Sequence, residues 1–159
     1  MAVLRFIFAM FFSFLPGVFG ILVTPIMSGD NRWYDTLDSS LWTPPGWVFS
    51  VVWTVLYFII GIALFLVMQK QGHISQHKLN TAYILFGINI VLNALWSFVF
   101  FGSQSPFVAL LVLMTLIVVA IFMARAFFQV SVPAFWLIVP YIFWLMFALY
   151  LNGIIVYLN

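Results

Sequence analysis

The feature that most constrains this chain is the recurrence of apolar stretches long enough to cross a bilayer. About 20 mostly apolar residues are needed to span ~30 Å of hydrocarbon at ~1.5 Å per residue. Five stretches satisfy this requirement, and they are continuous rather than alternating as barrel strands would be. The predicted spans are residues 5–27, 47–68, 79–101, 106–128 and 133–157, with a long first loop over 28–46. We therefore predict an all-α membrane protein, a five-transmembrane-helix bundle forming one domain over residues 1–159.

Charged side chains are too few to cover a water-facing surface. The 159 residues include 5 Lys and Arg and 3 acidic residues, so 5% are charged, against roughly 25% in soluble domains. A net charge of +2 is too small for binding a nucleic acid through its phosphates. The absence of cysteine excludes thiolate catalysis and Cys-ligated metal sites.

The cationic residues predict how the chain lies in the membrane. Arg5, Lys70, Lys78 and Arg125 fall on the side of the amino terminus, and Arg32 alone falls on the other side. Short loops on the inner side of a membrane carry an excess of Lys and Arg. We therefore predict that the amino terminus lies inside and the carboxyl terminus outside.

Residues for enzymatic chemistry are scarce. No carboxylate lies inside a predicted span, so a proton-coupling acid is missing. His73 and His77 are four residues apart but have no nearby carboxylate or Cys to complete a metal shell. Neither a phosphate-binding loop nor a nucleophile elbow is present. We predict no metal site and no bound cofactor.

Polar residues on the third predicted helix are more informative. Asn89, Asn93 and Ser97 follow each other at steps of four, which places them on one face, and Trp96 lies beside it. Polar side chains in a membrane helix usually face the bundle interior. Two interpretations stay open: hydrogen bonds between helices, or contacts with a ligand.

The depths of several residues favour a ligand site in the outer half of the bundle. Trp53 lies ~9 Å below Trp47, and Asn93 and Ala148 each lie ~13 Å below the outer ends of their helices. Trp144 shares a helix face with Ala148. Stacking surfaces, an amide and a small residue would suit a flat, apolar ligand with a few polar groups. Alternatively, the tryptophans simply fill the core.

Four segments stand out, and they are, in chain order, WYDTL (33–37), WTPPGWVFSVVWTVLY (42–57), NIVLNALWSFVFF (89–101) and PYIFWLMFALYLN (140–152). Together they resemble the TspO/MBR family. The resemblance spans nearly the whole chain and implies a five-helix membrane protein, often a homodimer. In this chain, Gly87 on the third helix would permit the close approach of a second copy.

The resemblance also implies a function. Members of the family bind porphyrins such as protoporphyrin IX and hydrophobic drugs of the isoquinoline carboxamide type, in a pocket closed by the first loop. The matching ligand-binding residues would be Tyr34, Pro44, Trp53, Asn93, Trp96, Leu113, Trp144 and Ala148. Protoporphyrin IX would then be a ligand or a substrate rather than a resident cofactor.

The resemblance leaves alternatives to binding and sensing. Some relatives are reported as degrading protoporphyrin IX in light, which implicates Trp53 and Trp144. Transport of tetrapyrroles or sterols is a further alternative, although no inverted repeat or embedded charge supports it. The proposed sterol motif is incomplete, because Leu149 and Tyr150 are followed by no Lys or Arg. This departure favours a bacterial-type member in the cell membrane.

Overall fold

The computed structural model describes residues 2–28 and 33–159, and the side chains of residues 2–22 and 33–159. Five helices in these ranges are long and apolar enough to cross a membrane, which confirms the predicted fold class. They are α1 (Ala2–Ser28), α2 (Gly46–Met68), α3 (Gln76–Ser97), α4 (Pro106–Val130) and α5 (Val132–Leu158). Asp30 and Arg32 of the first loop lie outside the described residues.

The helices run past the ends of the predicted apolar spans. α1 begins at Ala2 rather than Arg5, and α3 begins at Gln76 rather than Leu79. The apolar length of a span is fixed by the hydrocarbon, whereas the helix itself can continue into polar flanking residues. Ser131 alone separates α4 from α5, so the predicted fourth loop shrinks to one residue. α3 is extended by a π-helical turn over Phe98–Gly102.

Two glycines allow α1 to pack closely on α2. A Cβ atom added at Gly61 would lie 2.7 Å from Oγ of Ser13 and 2.8 Å from the end of the Met10 side chain. A Cβ atom added at Gly17 would lie 2.8 Å from the Tyr57 ring. Small residues at such positions let membrane helices approach each other. α1 thereby covers one side of Tyr57.

Contacts among the other helices place α2 next to α5. α4 packs against both α3 and α5, while α2 packs against α1 and α5. At the opposite end of the bundle from the first loop, the guanidinium of Arg5 donates hydrogen bonds to the Met68 carbonyl at 3.1 Å and to Oε1 of Gln71 at 3.0 Å. The start of α1 is thus tied to the end of α2.

Candidate functional site

Four aromatic rings meet where α2 packs against α5. Trp53 and Tyr57 are one turn apart on α2, and Tyr141 and Trp144 are three residues apart on α5, so each pair shares a helix face. The Trp53 ring stacks on the Tyr57 ring with centroids 5.3 Å apart. It also meets the Tyr141 ring at 6.4 Å and the Trp144 ring edge-on at 6.5 Å. These rings form one continuous aromatic cluster.

Asn93 brings an amide from α3 into this cluster. The Tyr57 hydroxyl donates to Oδ1 of Asn93 at 3.1 Å, and Nδ2 of Asn93 donates to the Tyr141 hydroxyl oxygen at 3.1 Å. The Tyr141 hydroxyl then donates to Oδ1 of Asn89 at 3.1 Å. All four residues are buried. The hydrogen bonds therefore join α2, α3 and α5 inside the bundle.

This arrangement bears on the two interpretations of the asparagine face. Asn89 and Asn93 both make hydrogen bonds between helices, as the first interpretation expects. An amide oxygen accepts two hydrogen bonds and an amide nitrogen donates two, so Asn93 keeps capacity for a ligand. Its role as a ligand anchor stays a prediction.

Two buried donors have no hydrogen-bond partner within the part of the chain that the structure describes. They are Nδ2 of Asn89 and Nε1 of Trp144. Leaving a buried donor unpaired costs about 1–3 kcal/mol. Such groups are usually satisfied by water or by a ligand. A molecule that supplies a hydrogen-bond acceptor would satisfy either donor.

A second aromatic cluster lies at the carboxyl end of α3. The Trp96 ring stacks on Phe100 with centroids 5.2 Å apart, and Nε1 of Trp96 donates to Oδ1 of Asn152 at 3.3 Å. Trp33 and Tyr34 of the first loop approach the Phe100 ring at 5.8 and 6.1 Å. Phe100 belongs to the π-helical turn, a distortion that is frequent at functional sites.

The predicted site therefore divides into two clusters. Trp53, Asn93 and Trp144 belong with the cluster between α2 and α5, while Tyr34 belongs with the cluster at the end of α3. Trp96 packs against the buried residues of both. The structure thus links the two parts through one indole.

The first loop is fastened to the end of α5. The Asp38 backbone N–H donates to Oδ1 of Asn159 at 3.1 Å, and Nδ2 of Asn159 donates to the Asp38 carbonyl at 3.0 Å. The hydroxyls of Ser40 and Tyr150 are hydrogen-bonded at 3.2 Å.

Burial raises the pKa of Tyr34 above its usual value of 10.0, and Asp35 beside it raises the pKa further. The Tyr34 hydroxyl is therefore neutral over the physiological pH range.

The other three predicted residues occupy different environments. Leu113 on α4 and Ala148 on α5 are buried in the main core, 1% and 9% exposed. Ala148 follows Trp144 by one turn. Pro44 is half-buried in the segment that leads into α2.

An open groove of about 660 Å³ runs between α2 and α5. Its lining includes the exposed residues Pro140 and Phe143, so it opens on the lipid-facing surface of the bundle. The lining residues are Val52, Leu56, Val139, Pro140, Phe143, Trp144 and Phe147. The groove shares Trp144 with the predicted site. A pocket beneath the first loop stays a prediction.

The two tyrosines of the aromatic cluster between α2 and α5 were not among the predicted site residues. Tyr57 follows Trp53 by four residues and Tyr141 precedes Trp144 by three, so helical spacing could have found both. Asn152, the partner of Trp96, lies one turn after Ala148 and could have been found in the same way.

Fold and site together define a polytopic helical membrane protein with tryptophans clustered between its helices. Consistent with this class, the model of the TspO/MBR family matches residues 9–158. "Tryptophan-rich protein TspO" of Chlorobaculum tepidum is 40% identical over 127 residues, covering 80% of this chain and 79% of the relative. "Tryptophan-rich sensory protein" of Cereibacter sphaeroides is 34% identical, covering 91% and 87%. "Translocator protein" of Bos taurus is 33% identical, covering 89% and 83%. The chain belongs to the TspO/MBR family and is an integral, multi-pass membrane protein.

Proposed function

We propose that this protein binds protoporphyrin IX and other flat, apolar molecules inside the membrane and acts as their sensor. The observation that carries the proposal is the aromatic cluster of Trp53, Tyr57, Tyr141 and Trp144. Its two tyrosine hydroxyls are hydrogen-bonded to the buried amide of Asn93. Aromatic faces bind a planar ring system by stacking, and an amide fixes its orientation. The name of the Cereibacter sphaeroides relative describes a sensory protein, which supports the same role.

The other predicted residues would complete the site. Tyr34 and Pro44 would close it from the first loop, and Trp96 would line the side toward the second cluster. Ala148 would leave room beside Trp144, because a small side chain one turn away keeps the indole face open. Leu113 would form part of the apolar wall on α4.

The groove between α2 and α5 supports entry of the ligand from the lipid. Trp144 is one of its lining residues, and Nε1 of Trp144 has no partner among the described residues. An apolar molecule already dissolved in the bilayer would reach the aromatic cluster by this route without crossing the aqueous phase.

Binding is tested by titrating the purified protein with protoporphyrin IX in the dark and following tryptophan quenching. We expect saturable quenching, and about tenfold weaker affinity in a Trp53→Phe, Asn93→Ala variant, since a stacking surface and a hydrogen bond are both lost. A Trp136→Phe variant is the matched control, because Trp136 is 63% exposed on the outer surface. Linear quenching that is identical in all three proteins would reduce the effect to detergent partitioning and overturn the proposal.

A second function, light-driven oxidation of protoporphyrin IX by oxygen, is favoured by one observation. The Trp53 and Trp144 rings lie 6.5 Å apart, which would place two oxidisable indoles beside one bound porphyrin. A photoexcited porphyrin in contact with indoles can exchange electrons with them. This function would share the binding site and would differ by requiring light.

We also propose that two copies of the chain pair through α3. Gly87 has open space around its Cβ position and lies on the outer surface. Ile84, Ile88, Val91 and Leu95 are exposed on the same helix. An apolar ridge beside a glycine permits close approach of a second helix in lipid.

We propose that the protein resides in a bacterial cell membrane with its amino terminus on the inner side. Because the chain has no cysteine, single introduced cysteines report sidedness without background. In spheroplasts, a membrane-impermeant maleimide is expected to label Ser39→Cys in the first loop. His73→Cys, in the loop between α2 and α3, is expected to react only after the membrane is permeabilised. The reverse pattern would invert the orientation.

A further inference from the structure

Positive charge is concentrated at the end of the bundle where α1 begins and α2 ends. Arg5 lies in the first turn of α1, and Lys70 follows α2 by two residues. Lys78 lies in the first turn of α3, and Arg125 lies near the end of α4. These four cations face the aqueous boundary opposite to the first loop.

The acidic residues lie at the other end of the bundle. The chain has three of them, Asp30, Asp35 and Asp38, and all belong to the first loop. That loop follows the far end of α1, whose 27 residues span about 40 Å at about 1.5 Å per residue. Within residues 2–28 and 33–159, no side-chain carboxylate therefore lies at the cationic end to serve as a counter-ion.

Arg5 is held at the junction of three helices. Its guanidinium donates to the Met68 carbonyl at 3.1 Å and to Oε1 of Gln71 at 3.0 Å. It also lies close enough to Tyr83 on α3 for an electrostatic interaction. Both acceptors are neutral oxygens, so they orient the guanidinium without neutralising its charge. A guanidinium has five N–H donors, and the two bonds use only two of them.

Lys70 adds a second charge to the same place. It lies in the sequence between the two acceptors of Arg5, and its side chain is exposed. Backbone hydrogen bonds order the turn that carries it, because the Lys70 N–H donates to the Val67 carbonyl and the His73 N–H donates to the Lys70 carbonyl, each at 3.0 Å. Two neighbouring cations repel each other, and an anion between them would replace this repulsion by attraction.

The surface of α1 beside this pair is apolar. Five side chains near its start are exposed over more than half of their area: Val3, Leu4, Ile7, Phe8 and Phe11. A molecule that meets both the cations and this surface must combine an anionic group with apolar chains. An anionic phospholipid has both parts, whereas a soluble anion has only the first.

We propose that this end of the bundle binds an anionic phospholipid, with the headgroup phosphate between Arg5 and Lys70 and the acyl chains along the outer surface of α1. The guanidinium matches phosphate oxygens with paired N–H donors, and the lysine supplies a mobile point charge. Basic pockets between membrane helices bind headgroups of this kind. The site is separate from the aromatic cluster between α2 and α5, so it does not depend on the proposed function.

The test counts lipid adducts of the purified protein by native mass spectrometry. Phosphatidylglycerol and phosphatidylcholine with the same acyl chains are added in equal amounts. A cation near an anionic headgroup contributes about fivefold in affinity, so the parent protein is expected to prefer phosphatidylglycerol about 20-fold. Equal binding of the two lipids would overturn the proposal.

Two variants separate the lipid site from the tie between α1 and α2. Lys70→Gln should reduce the preference about fivefold and leave the thermal midpoint in lipid-free detergent unchanged, because Lys70 takes no part in that tie. Arg5→Gln should reduce the preference by a similar factor and also lower the midpoint, since its bonds to Met68 and Gln71 are lost. An undiminished preference in Lys70→Gln would contradict the site.

Arg125→Gln is the matched control. It removes the same charge from the same end of the bundle, but from α4, which packs against α3 and α5 rather than α1. This variant should keep the parent preference. A loss equal to that of Lys70→Gln would reduce the effect to net charge and overturn the site.

A last arm distinguishes a lipid from a soluble anion. Phosphatidylglycerol should raise the thermal midpoint of the detergent-solubilised parent protein relative to phosphatidylcholine, because a ligand of the folded state stabilises it. Inorganic phosphate, compared with chloride at the same ionic strength, should leave the midpoint unchanged. An equal rise with inorganic phosphate would assign the cations to a soluble anion and overturn the lipid proposal.

Discussion

A Gly61→Val variant is expected to lose the packing of α1 against α2 and to unfold at a markedly lower temperature than the parent protein. A Cβ atom at this position would already lie 2.7 Å from Oγ of Ser13, which is fixed by its own hydrogen bond to the Met10 carbonyl. Valine adds two methyl groups beyond that atom. Overpacking of this kind costs about 1–3 kcal/mol.

The measurement is the thermal midpoint in detergent, followed by intrinsic tryptophan fluorescence. Gly153→Val in α5 is the matched control, because a Cβ atom at Gly153 meets nothing within 4 Å. Both exchanges replace glycine by valine inside a helix, so they share the change in helix propensity. Equal midpoints for the two variants would contradict the close packing of α1 on α2.

The second large effect concerns light. At saturating protoporphyrin IX, with oxygen and illumination, a Trp53→Phe, Trp144→Phe variant is expected to form photoproduct only at the rate seen without protein. Phenylalanine keeps an aromatic face for binding but is far harder to oxidise than indole. The measurement is the absorbance of the product over time, with dark binding recorded on the same samples.

The control for the photochemical experiment removes two other tryptophans. Trp47 and Trp136 are 69% and 63% exposed, and neither belongs to the aromatic cluster between α2 and α5. A Trp47→Phe, Trp136→Phe variant should form product at the parent rate. If the Trp53 and Trp144 double variant also does so, these indoles have no part in the reaction and the protein is better regarded as a binder.

The fold could be predicted because the bilayer fixes the length of an apolar span. Helix ends were harder to predict, since residues such as Gln76 and Lys78 are polar yet continue α3 beyond the hydrocarbon. The near-absence of a connection at Ser131 was also missed, because an apolar sequence on both sides gives no sign of where one helix ends.

The site could be predicted in part. Helical spacing assigns residues to a face, and resemblance selected Trp53, Asn93 and Trp144, which the structure brings together. Spacing does not name the partner across an interface, so the pairing of Asn93 with Tyr57 and Tyr141 was not foreseen.

The division of the aromatic residues was likewise missed. The π-helical turn after Ser97 carries Phe100 against Trp33 and Tyr34 of the first loop. Such a turn has no periodic signature in the sequence, because it changes the helical repeat over only five residues.

The short connections around α4 also bear on how the protein is made. Residues 103–105 link the end of the π-helical turn to α4, and Ser131 alone links α4 to α5. Spans joined by so little chain cannot enter the lipid far apart from one another. During biosynthesis, we expect the last three helices to leave the insertion machinery together as one preassembled unit, onto which the glycine-lined pair of α1 and α2 then closes.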